Sequence, residues 1–125
     1  MLLGKTLLGV SALVFIGYGL VSLVSPAIPA GFAGLVISNG DAFAEIGAMY
    51  GGLQTGLGLF CALALAKPEF YRSGLTLLLI AIGTLALARL VSVLITADSI
   101  TSYSYGALGY EFTTAALALA ALMKK

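Results

Sequence analysis

Histidine is absent from this chain, and cysteine occurs once, at Cys61. These two gaps exclude thiolate or imidazole metal clusters, an internal disulfide, histidine-ligated haem and histidine-based triads. Charge is scarce as well. Six Lys and Arg and five Asp and Glu residues make up 9% of the sequence, against 61% hydrophobic residues. A soluble domain of 125 residues needs a charged shell, and so few ionisable side chains cannot cover one. The net charge of +1 is spread without a basic stripe, so nucleic acid finds no electrostatic footprint. No stretch supplies an oxygen-ligand metal loop, a phosphate loop or a nucleophile elbow. No metal site, cofactor or catalytic residue is expected, and an enzyme is the less favoured reading.

Long apolar runs are what the chain does have. A spanning helix takes about 20 mostly apolar residues. Four segments qualify, at about 5–25, 42–66, 73–97 and 105–123. Pro26 and Pro29 stop the first, Lys67-Pro68-Glu69 stops the second, and Lys124 and Lys125 close the fourth. The expectation is an all-α integral membrane protein, a single four-helix transmembrane bundle over residues 1–125. Short second and third links predict antiparallel hairpins. The first link, from Pro26 to Asp41, is longer and partly apolar, and is expected to lie in the interface or dip back into the membrane. A signal peptide ending at Ala30 competes for the first segment, whose apolar stretch is longer than a usual signal core. Lys5, Lys67, Arg72, Lys124 and Lys125 all fall at one end of the predicted bundle, and the first and third links hold no Lys or Arg. This distribution predicts cytoplasmic termini and a cytoplasmic middle link.

Arg89 and Glu111 interrupt the apolar segments without lying at a water boundary. They are placed almost symmetrically about the third link, so an antiparallel hairpin brings them to one depth, about 12 Å and 10 Å from the outer end by helical rise. Glu45, about 5 Å inside the second segment, is expected in the same layer, with Asp41 and Asp98 nearer water. An unpaired charge in hydrocarbon costs at least ~3 kcal/mol, so pairing is expected, and Arg engages carboxylates bidentately. Helical spacing groups Ser92 and Thr96 with Arg89, and Thr114 with Glu111. Tyr18 mirrors Glu45 across the first link. The layer reads in three ways: an ion-pair network that sets helix register, a polar pocket for a small ligand, or a path for protons or ions.

The run "EIGAMYGGLQTGLGLF" (45–60) is rich in glycine. Glu45, Gly52 and Gly56 share one helical face, and Gly47, Gly51 and Gly58 another. Small residues four apart let helix backbones approach where lipid supplies no hydrophobic drive. Glycine on two faces predicts a second segment packed on both sides, at the centre of the bundle. Tyr50 and Gln54 are four apart on a further side, and are expected to bond a neighbour or line a pocket. Cys61 reads as a small buried hydrophobe, and Tyr103, Tyr105 and Tyr110 as an interfacial aromatic belt.

The runs "EIGAMYGGLQTGLGLF", "ALARLVSVL" and "GYEF" resemble a family of small bacterial four-helix membrane proteins of unknown function, distantly similar to the DoxX-like group. The resemblance covers segments two to four and rests on Glu45, Tyr50, Gly51, Gly52, Arg89 and Glu111. Members often carry a basic residue where this chain has Gly47, a departure that leaves a second cation in the layer without support. The resemblance implies a multi-pass protein of the bacterial inner membrane and supplies no reaction. The functional expectation is a non-enzymatic protein with a polar pocket in the outer half of the bilayer, binding a small molecule or lipid headgroup or serving in a homo-oligomer or larger membrane complex. The alternative is a small oligomeric transporter with Glu45 or Glu111 as its coupling carboxylate.

Overall fold

The computed structural model describes residues 1–124. It is all-helical. The first helix, α1 (Leu2–Val24), runs into a short second one, α2 (Ala27–Ala33), then α3 (Gly40–Ala66), α4 (Pro68–Ile95) and α5 (Ser102–Met123). All but α2 are long and apolar enough to cross a membrane. The expected four helices are thus joined by a fifth, and the spans begin a few residues earlier than the apolar runs alone indicated. Exposed Leu13, Val24, Ile80, Leu94 and Ile95 give the exterior an apolar surface suited to lipid.

Local chemistry sets the helix ends. Ser25 leaves the helical backbone after α1, and α2 closes on Gly34, whose φ of 73° is left-handed and costs a glycine little. Asn39 caps α3, its Oδ1 accepting the Ala42 N–H at 2.8 Å, with Asp41 in the first turn. Only Lys67 breaks the chain between α3 and α4, because Pro68 at once begins the next helix, where a missing N–H is harmless. Arg72 Nη2 donates to the Leu122 carbonyl at 3.0 Å and so caps the far end of α5.

The bundle therefore has a basic end, with Lys5, Lys67, Arg72 and Lys124, and an acidic end, with Asp41 and Asp98. Near the basic end the helices close around Leu8, Cys61, Ala64, Leu75, Leu78 and Ala118, all essentially inaccessible. Helix α1 packs along α3 and also touches α4 and α5, while α4 and α5 pair with each other. The α3 and α4 helices meet only beside their shared turn and diverge toward the acidic end. Both contain a stretch wound as a π-helix, Gly47–Leu53 in α3 and Leu78–Ile82 in α4.

The glycine pattern is used on one side only. A Cβ on Gly51 would lie 2.8 Å from the Leu23 Cα, and one on Gly58 would lie 2.8 Å from the Ile16 backbone nitrogen. Gly19 of α1 returns the approach, 2.9 Å from its own would-be Cβ to the Gly51 carbonyl oxygen. Gly52 and Gly56 meet nothing within 4 Å. The expectation of a doubly packed second segment is corrected accordingly. The central position belongs to α1, because small residues draw backbones together only where the facing helix also offers a small surface.

Candidate functional site

Where α3 and α4 diverge, the bundle holds a half-open cavity of about 680 Å³. Residues of α1, α3, α4 and α5 wall it, and Phe32 of α2 and Leu35 of the following link cover part of it. The longer first link is thus a cap on the cavity. Its buried Pro29 and Ala30 hold it against the bundle.

Arg89 and Glu111 meet in this wall. Arg89 Nε donates to Glu111 Oε1 and Nη2 to Oε2, both at 2.9 Å, in a side-on bidentate pair. The carboxylate side chain is 7% exposed and the guanidinium 25%, so the pair is drawn from the interior toward the cavity. The symmetry of the α4–α5 hairpin about its link brings the two to one depth, as the sequence implies. Tyr50 and Tyr103 lie within electrostatic reach of the guanidinium.

Glu45 also lines the cavity, but on the α3 wall. Among the described residues Arg89–Glu111 is the only ion pair, so Glu45 does not complete the expected three-charge cluster. The divergence of α3 from α4 is the physical reason. Equal depth on two helices does not bring side chains together when the helices part.

Tyr18, Tyr50 and Gln54 line the cavity. Ser92 does not. It is exposed, and its hydroxyl donates to the Ala88 carbonyl at 2.8 Å within its own helix. Thr114 is buried but lies off the cavity wall. Tyr103 and Tyr110, read from the sequence as an interfacial belt, are cavity residues as well. Their spacing of seven puts these two tyrosines on one face of α5 and would have revealed them as a pair. Phe32 and Leu35 carried no such periodic signal.

The cavity is chiefly apolar, with charged and hydroxyl groups set into it. That is the composition of a small-molecule pocket. One guanidinium already neutralised by its partner, and one free carboxylate on a different wall, can orient a ligand.

The sequence matches the family described as Domain of unknown function (DUF4345) over residues 3–122. The chain belongs to that family. Family membership thus extends through α1 as well as the three later spans whose motifs carried the resemblance. No curated protein and no solved structure matches the chain.

Proposed function

We propose that this member of the family is a non-enzymatic membrane protein whose cavity binds a small amphiphilic molecule drawn from the surrounding lipid. One observation carries the reading: a cavity of about 680 Å³ at the place where α3 and α4 part, with an ion pair in an otherwise apolar wall. An ion-pair network needed only for helix register has no use for such a space. The apolar core below the cavity, from Leu8 to Leu78, supports a binding site with a floor over a continuous conduit. A role as the ligand-binding subunit of a larger membrane complex is compatible with the same site.

The proposed setting is a bacterial cytoplasmic membrane with both termini on the cytoplasmic side. The clustering of Lys5, Lys67, Arg72 and Lys124 at one end supports that orientation. The cavity then opens in the outer half of the bilayer. The DoxX-like resemblance supports the architecture and lends no activity.

The test is native mass spectrometry of protein extracted with its own lipids. Wild type should carry a small bound molecule. Leu53→Trp with Leu85→Trp, which adds bulk at two lining positions, should lose it while keeping the same helical content. Equal adducts on the two proteins would remove the cavity from the function.

A further inference from the structure

The three charged side chains on the cavity do not balance. Arg89, Glu45 and Glu111 sum to one negative charge. Arg89 is committed to Glu111 through two hydrogen bonds, which occupy its Nε and one terminal nitrogen. Three of the five Arg89 N–H donors remain, but an anionic ligand there would share the guanidinium with the Glu111 carboxylate and add a second negative charge beside Glu45. A cationic group meets no such competition. Glu45 stands free on the α3 wall, and Tyr18, Phe32 and Tyr50 on the same cavity are of the ring type that attracts cations.

The charges are also ordered along the cavity. On α3 the lining begins at Glu45 near the acidic end and reaches Leu57, a helical rise of about 18 Å. The deep part includes Phe15, Leu57 and Ile82, none of them charged. A ligand that fits this gradient has a cation at one end and a hydrocarbon body at the other. The opening between α3 and α4 lies on the side from which a lipid-dissolved molecule would arrive.

We infer that the cavity is selective for cationic amphiphiles, an ammonium head at Glu45 with an apolar tail toward Leu57 and Ile82. This inference rests on the proposed binding role of the cavity and names its ligand class. Glu45 recognises the charge, and the Arg89–Glu111 pair serves as a neutral polar wall.

Three amphiphiles of one chain length separate the outcomes: dodecyltrimethylammonium, dodecanol and dodecanoate. Each is titrated calorimetrically into protein in nanodiscs of zwitterionic lipid, with empty discs subtracted. The cation should bind about fivefold more tightly than the alcohol, the gain of a partly solvated ion pair with aromatic support, and dodecanoate should bind most weakly. Glu45→Gln should erase the preference for the cation over the alcohol. Glu69→Gln, at the basic end, should leave the preference intact. Binding of all three with no preference for the cation, or a preference that survives in Glu45→Gln, overturns the inference and leaves the binding role standing. If no amphiphile binds wild type better than the Leu53→Trp, Leu85→Trp variant, the binding role falls and the inference falls with it.

Discussion

At the scale of single residues, the Arg89–Glu111 pair is the strongest polar commitment in the chain. Both side chains leave a solvated state to form it, and neither is tolerable alone in an apolar wall. Arg89→Leu strands Glu111, whose side chain is 7% exposed. Breaking a buried pair from one side costs about 3–5 kcal/mol in soluble proteins, so the variant should melt well below wild type in detergent. Adding Glu111→Gln should recover part of that loss, because the stranded charge becomes a neutral amide. A double-mutant cycle on melting should give a coupling above about 1 kcal/mol. Simple additivity of the two effects would deny the pair its role. Glu45→Gln, in contrast, should leave the melting temperature unchanged, since no ion pair holds Glu45.

At the scale of the element, α3 shows how one helix can be bound on one face and free on another. Gly51 and Gly58 lie toward α1 and Gly47 toward Pro26 of the first link, and Thr55 Oγ1, just past the π-wound region, donates back to the Gly51 carbonyl at 2.7 Å. That region holds Met49, Tyr50 and Leu53 of the cavity wall, and π-wound turns are frequent at functional sites. Gly58→Ala should destabilise the protein in detergent, because its new Cβ would press on the Ile16 and Ala12 backbone. Gly52→Ala and Gly56→Ala meet open space and should be neutral or stabilising, as alanine is the better helix former. Thermal melts of the three variants decide between this packing and its alternative. If Gly52→Ala or Gly56→Ala costs more than Gly58→Ala, the α1–α3 contact is wrongly assigned.

At the scale of the whole molecule, the charge asymmetry of the two ends predicts orientation. Single cysteines at Ser38 or Ser102 should react with a membrane-impermeant thiol reagent applied outside cells, and one at Ser73 should be protected. Labelling of Ser73 alone would invert the topology. Cys61 is buried in the core and should not contribute background. Much of this architecture was legible from residue order alone. Apolar length and the near absence of charge predict helices long and apolar enough to cross a membrane, because an unpaired backbone group in hydrocarbon is costly. Hairpin symmetry likewise determined that Arg89 and Glu111 share a depth, since the two positions are linked by one short connection. Only tertiary packing decided the rest. The angle between α3 and α4 separates Glu45 from Arg89 and opens the cavity between them, and it depends on how α1 seats against Gly51 and Gly58. The choice between the two glycine faces depends in turn on which partner surface is small enough to admit a backbone. Neither quantity is periodic along the chain, because each is a property of two surfaces in contact.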